Sequence, residues 1–194
     1  MKNLISAILV LLAACFMTAT AQESEMIQNE AFERFLTAAR AWHDPNDILD
    51  GDYLVDPPED DYGYFNTPAN SLTFLAMGVD GVHTAMLKLD GAVREDSPVI
   101  YVSPTDGESE WTILAPTFVD YLADGCAVTT QKIGELLDTV DSEPEALMRF
   151  LHANFDGLRL LDEHRIRLLN SRYLSLVEKK AEYKEMEARW ATRK

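Results

Sequence analysis

The sequence has little of what would narrow its chemistry. Cys15 and Cys126 are its only cysteines, too few for a disulfide scaffold or a four-cysteine zinc site. Nine glycines and eight prolines among 194 residues exclude collagen-like and low-complexity chains. The four histidines, His43, His83, His152 and His164, show no H-x-x-x-H or comparable ligand spacing. No G-x-S-x-G, Walker loop or dinucleotide fingerprint occurs. Positive charge is scarce: 17 Lys and Arg stand against 33 Asp and Glu, a net of −16. A chain this acidic has no basic patch with which to release counterions, which argues against nucleic-acid binding. Beyond the N-terminal segment, no apolar run approaches the roughly 20 residues that span a bilayer.

What is present begins with an export signal. Lys2 carries one positive charge, residues 4–17 are almost wholly apolar, and Ala19-Thr20-Ala21 offers an A-x-A cleavage site. This predicts a signal peptide over 1–21. Leu12-Ala13-Ala14-Cys15 also resembles a lipobox, which would make 1–14 the signal and Cys15 a lipidated N-terminus. Either processing leads to an exported protein, periplasmic, envelope-bound or secreted, with no membrane span in the mature chain. Neither leaves a cysteine pair for an intramolecular disulfide, so the fold has to rest on its hydrophobic core. At 47% hydrophobic and 26% charged residues, the composition is that of a globular protein able to build one.

Charge divides the remaining chain in two. Residues 22–156 hold 27 acids and 6 bases, a net of −21, whereas 157–194 hold 6 acids and 10 bases, a net of +4. The expected organisation is an acidic α+β domain over 22–156 followed by a basic amphipathic helix over 157–194. A first helix is predicted over 24–43, from Ile27, Ala31, Phe35, Ala38 and Trp42 at helical spacing. A long loop over 44–68 follows, rich in aspartate and carrying Pro57-Pro58. Strands are predicted at 71–77, 82–89, 98–103 and 111–114, with an Asp90-Gly91 turn between the second and third. The fold class is α+β: an antiparallel or mixed sheet of four to six strands flanked by helices. Helices are predicted at 117–123, 130–140 and 143–154, the last with Ser142 as N-cap and Pro144 in its first turn. From 158 to 193, Ile166, Leu169, Tyr173, Leu176, Lys180, Tyr183, Glu187 and Trp190 form a heptad-like stripe. It predicts one long helix packed on its own domain, in a monomer.

The acidic loop is the richest candidate site. Asp52, Tyr53, Asp60, Asp61, Tyr62 and Tyr64 combine negative charge with aromatic area, a composition suited to a protein-binding surface. Calcium needs six to eight oxygens, and Asp47-Ile48-Leu49-Asp50-Gly51-Asp52 lacks the alternating spacing of an EF-hand loop. No metal, cofactor or catalytic residue is assigned. Cys126, with no base beside it in sequence, reads as a structural thiol.

The stretch 66–126 resembles the SMI1/KNR4, or SUKH, superfamily. The resemblance rests on five segments. They are Leu72-Thr73-Phe74-Leu75-Ala76, then Gly78-Val79-Asp80-Gly81-Val82-His83, then Met86-Leu87-Lys88-Leu89, then Asp96-Ser97-Pro98-Val99-Ile100-Tyr101-Val102, and finally Leu114-Ala115-Pro116-Thr117-Phe118-Val119-Asp120-Tyr121-Leu122. It implies a sheet with helices around it and non-enzymatic protein binding; many bacterial members look like immunity proteins that neutralise a toxin. Such members are usually cytoplasmic, and the basic tail has no counterpart in the family core. The expected function is therefore an exported, non-enzymatic protein-binding module with a basic partner. In this reading the acidic domain makes the contact, so Asp60 and Asp61 matter and Lys179 and Lys180 do not. An envelope hydrolase, or an assembly protein acting through its C-terminal helix, is the alternative.

Overall fold

The computed structural model describes residues 26–78, 80–104 and 110–192. The expected signal segment 1–21, with Cys15, lies outside them. The chain runs β1 (Ile27–Gln28), α1 (Glu30–Ala41), β2 (Tyr53–Glu59), β3 (Ser71–Ala76), β4 (His83–Leu87), β5 (Val93–Arg94), β6 (Val99–Val102) and β7 (Trp111–Ala115). The helices α2 (Phe118–Gly125), α3 (Thr130–Leu137) and α4 (Pro144–Asn154) follow. The chain closes with a 3-10 turn (Gly157–Leu161), α5 (Glu163–Tyr173), a second 3-10 turn (Leu174–Leu176) and α6 (Ala181–Ala191). This is the expected α+β class. Five strands form an antiparallel sheet in the order β2-β3-β4-β6-β7.

Three strands, β1, β2 and β5, were not expected from the sequence. β2 lies inside the segment predicted as loop 44–68. Pro57-Pro58 argued against a strand there, but β2 is an edge strand, where a missing N–H breaks no ladder. Its register with β3 shifts between Leu54 and Glu59. β1 lies where helix 24–43 was expected to begin, and pairs in parallel with β5. The helix starts only after Asn29, whose side chain accepts the Phe32 N–H at 2.9 Å and donates to Arg94 O at 2.8 Å. Pro144 opens α4 as expected, but Glu143 rather than Ser142 occupies the cap position, without a side-chain cap bond.

The sheet is apolar on both faces. Every residue of β3 and β4 is buried. One face, with Leu72, Leu75, Met86, Val99 and Leu114, packs against α1 to α4. Its nucleus is aromatic: Phe32 meets Phe74 and Phe118 edge-on at 5.2 and 5.1 Å, and Phe35 meets Phe118 at 5.2 Å. Such edge-to-face pairs add about 0.5–1.5 kcal/mol each beyond area burial. The other face, with Ala85, Leu87, Ile100, Val102 and Ile113, is covered by the tail through Leu169, Tyr173, Leu174 and Val177.

That cover is not the single helix expected over 158–193. Asp162 accepts the Arg165 N–H at 2.9 Å and starts α5 afresh. After Leu176 the backbone leaves the helical path and is pinned to the turn before β3. Asn70 donates to Leu176 O at 2.9 Å and accepts the Glu178 N–H at 2.8 Å, while the Ala69 N–H reaches Glu178 O at 2.7 Å. α5 also closes the open edge of the sheet. Asn170 Oδ1 accepts the Ile113 N–H at 2.8 Å, and Arg165 donates to Leu114 O at 3.1 Å while pairing with Asp124. Unpaired strand groups invite aggregation, and here side chains occupy them.

α6 is anchored by Tyr183, 5% exposed, between Phe65 at 6.2 Å and Trp111 at 5.1 Å. Its hydroxyl donates to Glu110 at 2.8 Å. Replacing a buried aromatic by alanine costs about 3–5 kcal/mol. Tyr183→Ala is therefore expected to release α6 and expose the adjoining lysines. Trypsin cleavage after Lys179 and Lys180, followed by mass, should accelerate at least tenfold; an unchanged rate would mean that α6 is held by something else.

Candidate functional site

The six residues predicted as one binding surface occupy two different places. Tyr53, Tyr62, Tyr64, Asp60 and Asp61 belong to a clasp between the loop after β2, the sheet and the tail. The Tyr53 and Tyr62 hydroxyls are hydrogen-bonded at 2.7 Å. Tyr62 lies 4.9 Å from the His83 ring, and Tyr64 stacks on it at 6.0 Å. Gly81, at φ +70°, leaves the space that the Tyr64 ring fills; a methyl there would overlap the ring. Asp60 pairs with Lys88 and Asp61 with Lys180. Lys180 Nζ also donates to Tyr64 O at 3.1 Å.

Asp61 and the tail's Lys180 are therefore partners, not independent charges. The expectation that Asp60 and Asp61 act while Lys179 and Lys180 are idle divides this one contact between its two halves. Lys179 is also engaged, with Glu187 at 2.6 Å and over the Trp111 and Tyr183 rings at 5.6 and 5.1 Å.

His83 sits inside the clasp, 1% exposed. Its Nδ1–H donates to Gly81 O at 2.8 Å, and Nε2 lies 3.1 Å from Thr67 Oγ1. The Thr67 hydroxyl has one proton to share between Nε2 and Tyr62 O at 3.0 Å. Burial pushes His83 down to about 4, so the ring is neutral at pH 7. Thr67 is as buried as the imidazole, so this hydroxyl–imidazole pair has no route to a substrate.

Asp52 belongs elsewhere. Asp50 and Gly51, at φ +52° and +87°, make a two-residue turn closed by the Asp52 N–H to Leu49 O at 2.9 Å and the Ile48 N–H to Asp52 O at 2.8 Å. Both positive φ values fit a type I′ hairpin turn, for which Asp-Gly is a favoured pair. The turn holds Asp50 and Asp52 at a cleft of about 240 Å³ between the sheet and the first 3-10 turn. Thr84, Tyr101 and Leu114 form its floor from the sheet, Tyr121 comes from α2, and Phe155 and Leu160 close the far wall. Met77, Leu158 and Leu161 stand at its rim, 43%, 76% and 43% exposed. Asp50 reaches so close to Gly157 that a β-carbon there would lie 2.8 Å from Oδ2.

The cleft is electrostatically incomplete. Asp52 Oδ1 is sealed from solvent without a hydrogen-bond partner. Burial first, and the charge of Asp50 second, push the Asp52 carboxyl up to about 6. Tyr121 is pushed up by burial and by both carboxylates. No serine, cysteine, histidine, lysine or arginine lines this space. Cys126 is buried away from solvent, its thiol pushed up to about 11, so it is no thiolate nucleophile. Among the described residues no group of three or more His, Cys, Asp or Glu is placed to hold a metal ion.

Sequence reasoning named Asp52 but missed its setting. Asp50, Leu158 and Leu161 were not singled out. The Asp50-Gly51 dipeptide is the same turn signal that was read at Asp90-Gly91. The far wall, about a hundred residues along the chain, carried no signal. The chain matches no protein-family model, no curated protein and no solved structure. No helix among the described residues is long and apolar enough to cross a membrane.

The two shifted groups act on stability with opposite signs. Asp52, raised from 3.8 to about 6, binds its proton more tightly when folded. Its effect favours the fold at acid pH and is lost as pH rises through 6. His83, lowered from 6.5 to about 4, favours the fold above 6.5, an effect lost as pH falls toward 4. Urea midpoints of Asp52→Asn, relative to wild type, are thus expected to rise between pH 4.5 and 7.5, and those of His83→Gln to fall. Flat difference curves would remove these groups from the linkage.

Proposed function

We propose that the protein is an exported, non-enzymatic protein-binding module of SUKH-like type, acting as a monomer on a basic partner. One observation carries this reading. The cleft beside the Asp50–Asp52 turn combines two carboxylates with an exposed apolar rim. Buried apolar anchors with charge around them are what protein recognition uses. The net charge of −16 supports it further, because it steers encounter with a partner of opposite sign. The tyrosine clasp, by contrast, spends the Tyr53 and Tyr62 hydroxyls and both acids on the chain itself, so the reading moves from the tyrosines to the cleft.

A second reading, an envelope hydrolase, draws on Asp52. A carboxyl that holds its proton to about pH 6 beside a second carboxylate is the pairing that general acid–base catalysis employs. The test separates the two. The full chain is immobilised, envelope extract is passed over it, and the retained protein is identified by mass and purified. Under the binding reading that partner is basic, and its association rate falls at least tenfold between 50 and 500 mM salt, because screening shortens to a few ångströms. A salt-insensitive rate, or turnover of an envelope substrate abolished by Asp52→Asn, overturns it.

A further inference from the structure

We infer that the Asp50–Asp52 cleft receives a single arginine or lysine side chain of the protein partner. This rests on the binding reading above and adds the chemistry of the contact. Neither carboxylate forms an ion pair with any described residue, whereas Asp56, Asp60, Asp61 and Asp124 all do. Asp50 is exposed and Asp52 half-buried, with one Asp52 oxygen sealed from solvent and unpaired. A carboxylate that is partly desolvated without a partner is costly, and a cation brought in from outside offsets that cost. The walls select the kind of cation. Tyr101, Leu114, Tyr121 and Phe155 offer apolar surface, which suits the methylene stem of a long basic side chain rather than a hydrated ion. The volume selects the size. About 240 Å³ falls below the roughly 300–1,000 Å³ of typical small-molecule sites, leaving room for one side chain. Leu158 and Met77 stand exposed at the mouth, where the backbone around an inserted side chain would cover them. The Asp50 carboxylate packs against Gly157, where a β-carbon would lie 2.8 Å from Oδ2, so the turn and the far wall meet at the cleft.

The test uses n-butylguanidinium, the arginine side chain without its backbone, titrated into the full chain at pH 7.5 and followed by backbone amide resonances. Saturable shifts are expected at Gly51, Met77 and Leu158. Guanidinium alone and 1-pentanol should bind at least tenfold more weakly, since each supplies only half of the contact. Asp52→Asn should weaken butylguanidinium at least tenfold. Leu158→Lys, at an exposed position, should do the same by setting a cation of the chain's own at the mouth. Glu145→Gln, a surface acid outside the cleft, should change affinity less than twofold. The inference is overturned if pentanol binds as well as butylguanidinium, if both cleft variants bind like wild type, or if Glu145→Gln weakens binding equally. Failure of the broader reading looks different. A cleft that takes the probe in a chain that retains no protein partner refutes the binding module while the site stands. A partner held equally by wild type, Asp52→Asn and Leu158→Lys refutes the site while the module stands.

Discussion

A five-stranded sheet that is apolar on both faces must be covered twice, and the architecture follows from that requirement. Helices α1 to α4 cover one face around the Phe32–Phe35–Phe74–Phe118 nucleus. The chain then has only its last segment with which to cover Ala85, Leu87, Ile100, Val102 and Ile113. The tail does so with few fully buried side chains: α5 has none and α6 has only Tyr183. Its attachment therefore leans on polar bonds to backbone, Asn70 and Asn170 chief among them, and on ion pairs of its basic residues with acids of the domain. The charge asymmetry between the two segments works inside the molecule before it acts on any partner.

Much of the fold was legible because strands β3, β4, β6 and β7 are short apolar runs bounded by turn residues. The full burial of β3 and β4 was not read from the sequence, although both carry apolar residues without strict alternation, as a sheet covered on both sides does. What failed were places where local pattern and tertiary role diverge. Pro57-Pro58 mark a loop by propensity and an edge strand by position. The tail stripe keeps a heptad-like rhythm through Lys180 and Glu187, yet those two residues bond to Asp61 and Lys179, and the helix is broken between Leu176 and Ala181. A periodic pattern cannot reveal a break whose cause is a hydrogen bond from Asn70, more than a hundred residues earlier.

The candidate site was half legible for a related reason. Charge and aromatic content drew attention to the segment 52–64, but composition does not tell a spent acid from an unspent one. Asp60 and Asp61 find lysines in β4's flank and in the tail, and the tyrosines stack around a buried neutral histidine. Asp50 and Asp52 find none, because the hairpin turn faces them toward Phe155, Leu158 and Leu161 instead. Which acids remain available is decided by packing between distant segments.

The order in which the chain leaves the ribosome gives the tail a temporal meaning. Domains form from the N-terminus during synthesis, at about 5–20 residues per second. α5 and α6 follow β7 in the chain, so a sheet formed before they dock carries an uncovered apolar face and an open edge. A chain that stops before Arg165 lacks every tail residue that covers that face and that edge. Docking of α5 and of the turn after it thus decides whether the sheet hides or presents a surface on which another chain could add.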